Sequence, residues 1–501
     1  MKAQRDFRLR FSCNVLPGKL RAPSTYAQKD GKSPEKKRKH LSWRFVPITL
    51  LVCVGIVAMT AADQAAGQTP DQEMSSTVNT VCPQLKVKFD QGNLNNPADI
   101  DVFQRCGELV GDYQTLNPSQ VNGLSNMTST QTDSMGASTV NISYAQFATI
   151  AGRLAYLRGL GSGGLALNIN NDNAEPIMFA GPITAAAGGN TSNAQELEIL
   201  GGRLGLFLNG TYATGNQDAT NLEPGFDFDS WGVIGGADYR FTDNLFLGLA
   251  IGYSWTDSDV DNNAGNVDAD GYGISAYGTY YVNNFYFNAI GTYANKDYNI
   301  TRNLNYTVAA KPAGSGLTTV NQKFEADPDS DEYSFSVGGG YDFNFKKFTL
   351  SPYLRLDYLN IKIDAYKEKQ ATPNAAPGFG LALSVEQQTI NSFTTNLGGQ
   401  IYRDFGAGKS ILTPYLRAEW VHEFDNDARN IKAGFINVPV GTVGNTIIIP
   451  TDDPDRNFFN FGLGLSATLP LGIMAFADWQ TILGLSNVTL NQITAGLRFE
   501  L

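Results

Sequence analysis

From about Arg203 onward, apolar and polar residues alternate with a period of two. In Tyr333–Phe345, Tyr333, Phe335, Val337, Tyr341, Phe343 and Phe345 point one way, and Ser334, Ser336, Gly338, Gly340, Asp342 and Asn344 the other. Leu245–Trp255 repeats this, with Leu245, Leu247, Leu249, Ile251, Tyr253 and Trp255 against Gly248, Ala250, Gly252 and Ser254. Phe459–Leu469 and the closing Ile493–Leu501 follow the same rule. Strict alternation predicts β-strands with one apolar and one polar face. Twelve such segments can be counted, of 11 to 15 residues or more. Strands of soluble sheets usually have about 5–6 residues, whereas about 9–11 tilted residues cross a bilayer. The polar face, rich in Gly, Ser, Thr, Asn and Asp, suits a wet lumen and not a packed core.

The connections support a membrane barrel. Short links at Thr242–Asn244, Asn283–Asn284, Lys346–Lys347, Gly406–Lys409 and Pro470–Gly472 alternate with long ones at Asp257–Val267, Thr301–Asp331, Lys367–Pro377 and Asp425–Arg456. Short periplasmic turns and long outer loops are the asymmetry of transmembrane barrels. Aromatics gather at segment ends, as at Phe241, Tyr280–Tyr281, Phe285, Phe345 and Phe348, where an interfacial girdle belongs. A backbone in hydrocarbon must satisfy its own hydrogen bonds, so the sheet has to close.

The first 200 residues have a different grain. Residues 1–67 read as an extended signal peptide, with a basic stretch at 36–45, an apolar run from Phe45 to Met59, and small residues before Gln68. Residues 68–200 are polar, with two helical patterns. Ile100, Phe103, Cys106, Leu109, Val110 and Tyr113 predict a helix over Asp99–Tyr113. Tyr144, Phe147, Ile150, Ala151, Leu154 and Leu157 predict another over Ser143–Leu157, with Arg153 on its other side and Arg158 just beyond. The Gly159, Gly161, Gly164 triplet follows a helix and precedes none, so it is a helix end and linker, not a dinucleotide loop. The expected division is a signal at 1–67, a short passenger at 68–140, a helix and linker at 141–200 and a barrel at 201–501.

Composition sharpens this. The chain has 501 residues, 17% of them charged, with 52 Gly and a net charge of −11. Residues 1–67 hold 13 of the 37 basic and 4 of the 48 acidic residues, leaving −20 on the remainder. That excess argues against nucleic acid as a partner, because phosphate contacts need clustered positive charge. Of four cysteines, Cys13 and Cys53 leave with the signal, and Cys82 and Cys106 remain as an expected disulfide in an oxidising compartment.

Two stretches, Phe226–Ser254 and Asp268–Ala294, resemble the autotransporter β-domain family, and Pro414–Phe424 is similar to a segment late in that family's barrel. The resemblance covers about Arg203–Leu501. It implies a twelve-stranded antiparallel outer-membrane β-barrel, an all-β membrane protein, with an N-terminal helix threading the lumen and joining it to an exported, partly helical passenger. Ser143–Leu157 is the candidate helix. Family chains usually end in an aromatic residue; here Phe499 stands two positions before a terminal Leu501, and together they are the expected assembly signal.

Candidate chemistry is sparse. Residues 68–200 contain no His and no G-x-S-x-G elbow. His422 alternates with Trp420 and Phe424 and should face the membrane rim. Asp238, Asp342, Arg355, Asp357, Arg417, Glu419, Glu423, Arg498 and Glu500 fall on the lumen side, where ion pairing is expected over acid–base catalysis. Some family members cleave the linker inside the barrel at an Asn–Asn bond, and Asn170–Asn171 is the pair available here. Asn266, Asp268, Asp270 and Gly271 imitate the front of a calcium loop, but position twelve is Tyr277. No cofactor or metal is expected. The expected partners are outer-membrane lipid and, during biogenesis, the Sec translocon and barrel-assembly machinery. The chain is expected to be a monomer. It should display residues 68–140 at the surface without catalysis; a porin-like barrel with a periplasmic cap or plug is the alternative.

Overall fold

The computed structural model describes residues 68–128, 131, 136, 203–311, 314–407 and 410–501. Twelve antiparallel strands form the barrel: β1 (Leu204–Gln217), β2 (Phe226–Thr242), β3 (Leu245–Val260), β4 (Gly265–Val282), β5 (Phe285–Ala309), β6 (Asp329–Tyr341), β7 (Thr349–Ile363), β8 (Gln388–Tyr402), β9 (Ser410–Glu423), β10 (Asn457–Thr468), β11 (Ile473–Leu483) and β12 (Val488–Glu500). Each strand pairs with the next. β1 then pairs with β12 from Gly205↔Glu500 to Gln217↔Val488, which closes the sheet. Arg203 and Leu501 both lie at the short-turn end, where Arg240 N–H donates to Arg203 O and Leu501 N–H to Leu204 O.

The predicted faces follow the register. On β3, Leu249 and Ile251 are 65% and 67% exposed, pointing to lipid, while Ala250 is buried. The apolar run Leu245–Trp255 is about 33 Å along the strand, and a tilt near 40° reduces that to about 25 Å, the height of a membrane band. At the long-loop edge an aromatic girdle passes from strand to strand by direct pairing: Tyr212↔Trp231, Trp231↔Trp255, Tyr253↔Tyr272, Tyr293↔Tyr333, Phe335↔Tyr358, Tyr358↔Phe393 and Trp420↔Phe459. His422 lies on this girdle between Trp420 and Phe424, its Nδ1 2.8 Å from Asn457 Oδ1.

Many lumen glycines serve as floors for rings on the facing strand. Phe207 pairs with Gly236, Tyr277 with Gly248, Tyr286 with Gly340, Tyr353 with Gly398, Tyr415 with Gly464 and Phe476 with Gly496. At each glycine an added Cβ would meet its partner's ring.

Three expectations need correction. The long loops are largely folded. β3 and β4 continue to Val260 and from Gly265, so Asp257–Val267 is a tight hairpin tip in which Asn262 and Asn263 take left-handed φ values of 58° and 55°. Asn can adopt that conformation. β5 runs to Ala309 and returns as Leu317–Ala326. Parts of 364–387 and 425–456 form a second sheet of Tyr366–Lys367, Leu383–Val385, Asn430–Phe435 and Ile447–Pro450. The calcium-loop imitation therefore lies on strand β4, where Asn266, Asp268 and Asp270 follow one another on one face of an extended strand and not around a loop.

The second correction concerns helix boundaries. The helix expected over Asp99–Tyr113 is Pro97–Leu109, here α2. Asn96 caps its start by accepting from Ala98 N–H, and Pro97 occupies the first turn. Val110 is extended and Tyr113 belongs to a separate short turn, because Asp112 caps that turn through Gln114 N–H.

The third is helix number. α1 (Pro70–Asp90) and α3 (Pro118–Met127) flank α2. α1 has a Thr69–Gln72 capping box and buries Met74, Val78, Val81, Cys82 and Leu85 on one face. α3 has an Asn117–Gln120 capping box and buries Leu124 and Met127. Cys82 and Cys106 form a disulfide joining α1 to α2, with Cα atoms 5.8 Å apart. The expected lumen helix Ser143–Leu157 and the Asn170–Asn171 bond lie outside the described residues, as do residues 1–67.

Candidate functional site: the capped outer mouth and the lumen wall

The three helices and the outer loop strands share one core. Met74, Val78, Leu85, Val102, Leu109 and Leu124 belong to the same buried cluster as Leu304 and Val308 of β5, Val320 and Phe324 of its return strand, Leu383, Ile431 and Ile447. The N-terminal segment therefore sits at the long-loop end, opposite Arg203 and Leu501. Its polar contacts are specific. Gln84 bonds Val443 through both N–H and C=O, at 2.9 and 2.7 Å. Thr77 donates to Thr446 O and Lys88 to Thr442 Oγ1. Beyond α3, buried Gln131 donates to Ala264 O at 2.6 Å, and Gly136 lies against Arg429 and Ile390 at the mouth.

Two buried ionic groups hold this cap, and sequence reasoning singled out neither. Arg302 of β5 forms a two-point contact with Glu368, at 2.8 and 2.6 Å, and donates to Leu381 O. Glu368 also accepts Leu383 N–H, so the pair ties the β5 hairpin to the second sheet. Phe324 lies under the guanidinium at 4.7 Å. The other group is on α2. Asp101, Arg105 and Glu108 are 4%, 6% and 4% exposed. Asp101 accepts Gly378 N–H and Gly380 N–H at 3.1 and 2.9 Å. Glu108 accepts Thr318 Oγ1–H at 2.7 Å, and Arg105 bridges the two carboxylates. Burial pushes the Asp101 and Glu108 carboxyls above their ordinary range, against the pull of these hydrogen bonds and Arg105. The only sequence signal was charge on a helix face that should be wet.

Buried charges on the lumen wall gather in two groups. Arg355 contacts Asp357 at 2.9 Å and Glu419 at 3.2 Å; Tyr353 O–H and Asn460 also donate to Glu419, and Asn396 to Asp357. Arg417 lies 3.7 Å from Asp478, a partner not anticipated. Near the short-turn end Arg498 pairs with Asp238 at 2.9 Å and Glu500 at 3.4 Å, and Arg240 also reaches Glu500. Glu423 is set apart at the outer rim, accepting from Ser392 Oγ–H and the Phe393 and Asp425 N–H groups. Asp342 lies near the short-turn end, between the strand segments Asp329–Tyr341 and Phe343–Asn344, and its N–H donates to Asn284 O in the neighbouring turn. Phe499 is outward-facing, between Leu206 and Ile473. The positions Tyr144, Phe147, Ile150, Arg153, Leu154 and Arg158 lie outside the described residues. Among the described residues no group of three or more His, Cys, Asp or Glu could hold a metal ion.

A closed twelve-strand barrel with a lipid-facing apolar band and a charged lumen is a transmembrane barrel of the outer-membrane type. The model of the autotransporter beta-domain matches residues 206–480, more than half of the chain, and the chain belongs to that family. It is 26% identical over 295 residues to outer membrane protein A of Rickettsia conorii, covering 57% of this chain and 14% of that protein. Outer membrane protein A of Rickettsia rickettsii is 26% identical over 286 residues, covering 56% and 12%. The chain thus spans about a seventh or less of these relatives. Among solved structures, the translocator domain of the autotransporter NalP from Neisseria meningitidis is 13% identical, covering 60% of this chain and 89% of that one, with a TM-score of 0.45. The β-domain of the Bordetella autotransporter Brka is 16% identical, covering 60% and 100%, with a TM-score of 0.39. Residues 203–501 are an autotransporter β-domain folded as a barrel of the outer-membrane type.

Proposed function

We propose that this barrel exports its own N-terminal segment to the cell surface and retains it there as a folded cap, without catalysis. The observation that carries this reading is the shared core of α1–α3 and the outer loop strands, at the end of the barrel opposite Arg203. Residues 137–202 must link those two ends of a closed wall, and a path through the lumen needs no break in it. The helix expected over Ser143–Leu157, with Arg153 and Arg158, is the part that would face the acidic lumen groups. In this reading residues 1–67 direct export through the Sec translocon, the barrel-assembly machinery inserts the strands, and the monomer resides in outer-membrane lipid as a type V secretion protein. The disulfide suits an oxidising compartment. Passenger folding and barrel insertion, not a nucleotide, supply the energy.

An epitope tag at Asn93, in the exposed turn between α1 and α2, tests this reading. Protease added to intact cells should remove the tag. A tag protected until the outer membrane is broken would favour the porin-like alternative with a periplasmic segment.

A further inference from the structure

We propose that the seat of α2 is an acid-tightened latch: Asp101 and Glu108 share the single guanidinium of Arg105, and proton uptake there draws the N-terminal segment more firmly onto the outer loops. The three residues stand four and three positions apart, on one helix face. That face is buried against the β5 hairpin and the 378–381 loop. One cation between two carboxylates leaves a surplus negative charge where water is excluded, and a low-dielectric site favours its neutralisation.

Among the described residues, the surroundings supply no further cation. The 378–381 loop contributes the N–H groups of Gly378 and Gly380. The return strand contributes the Thr318 hydroxyl. β5 contributes Tyr306, whose hydroxyl is pushed by burial far above the ordinary range and is neutral. α3 contributes the Gln120 amide, which donates to the Glu108 backbone carbonyl. α1 contacts α2 here through Val78 and the bridged Cys82. A protonated Glu108 still offers Thr318 its carbonyl oxygen, and a protonated Asp101 still accepts one of the two glycine N–H groups, so most of the seat survives neutralisation.

The sign follows. Both carboxyls are raised in the docked state by burial. Between the undocked and docked values, the docked segment binds more protons than the free one, so docking strengthens as pH falls through the docked value. The gain is complete below the undocked value, about 4. This rests on docking and not on export, so purified protein in detergent reports on it whichever side of the membrane the segment reaches.

The described α-helices, α1–α3, lie in the N-terminal segment, so loss of their helical circular dichroism in urea follows undocking while the barrel persists. The midpoint of the native protein should rise as the pH is lowered from about 7.5 to about 4. In Glu108→Gln, which keeps an acceptor and deletes the charge, the midpoint at the higher pH should hold or rise and the pH slope should fall by half or more. Asp101→Asn should flatten the slope likewise while lowering the midpoint, because one loop N–H loses its acceptor. A native midpoint that is flat or falls on acidification overturns the latch, as does an unchanged slope in Glu108→Gln.

Discussion

The ring of Tyr277 occupies the space that a side chain at Gly248 would need: a Cβ there would run into the tyrosine ring, and the two residues are direct partners on β4 and β3. Five other aromatic–glycine pairs repeat the arrangement around the lumen wall. The rings lie along the wall and do not project across the lumen.

Gly248→Val should displace the Tyr277 ring and cost about 1–3 kcal/mol, the usual range for overpacking. The heat-modifiable, folded band on a gel should weaken. Gly248→Val combined with Tyr277→Ala should recover most of it, because the clash is with that ring.

Glu368→Ala should leave Arg302 buried and unpaired at a cost of about 3–5 kcal/mol. The loss should fall on the cap and not on the barrel. Protease should cut within 364–387 in the variant while the heat-modifiable band is kept. A variant cut no faster than the native protein would show that the pair does not hold the loops.

Cys82→Ser with Cys106→Ser removes a link between residues 24 apart. A loop of that size is worth about 3 kcal/mol. The urea midpoint of the helical signal should fall, and reductant should produce the same shift in the native protein and none in the variant.

Phe499→Asp should lower the yield of folded barrel in the membrane, and Phe499→Leu should keep most of it. Phe499 faces outward beside Leu206 and Ile473, so a charge there would also enter lipid near the short-turn rim. Pulse-labelled folding of the two variants separates assembly rate from final stability.

The barrel was legible because its signal is local. Leu245–Trp255 and Phe459–Leu469 each state both faces of a strand within a dozen residues, and closure follows from membrane physics. The cap was not legible, because its core is assembled from Met74, Leu304, Val320, Leu383 and Ile447, which come together only in three dimensions. α1 was missed although Met74, Val78, Val81 and Leu85 have helical spacing; the intervening Ser, Thr, Asn and Gln and the internal Pro83 read as loop. The outer loops read as solvated since Asp257, Asp259, Asp268 and Asp270 are acidic. They are strand residues beyond the aromatic girdle, where an outward side chain has left the hydrocarbon. The α2 charges Asp101, Arg105 and Glu108 drew no attention for the same reason: polarity without its partners does not reveal burial.

Docking of the N-terminal segment on its own barrel, and its place at the cell surface, are tested most directly by a cysteine pair at Gln84→Cys and Val443→Cys, which join α1 to a long loop where Gln84 already bonds the Val443 backbone. In intact cells the double variant should give an internally crosslinked chain whose gel shift reverses on reduction, and each single variant should react with a membrane-impermeant maleimide. Single variants that label in intact cells without any crosslink in the double variant, or a Gln84→Cys that labels only after the outer membrane is broken, would contradict a surface cap.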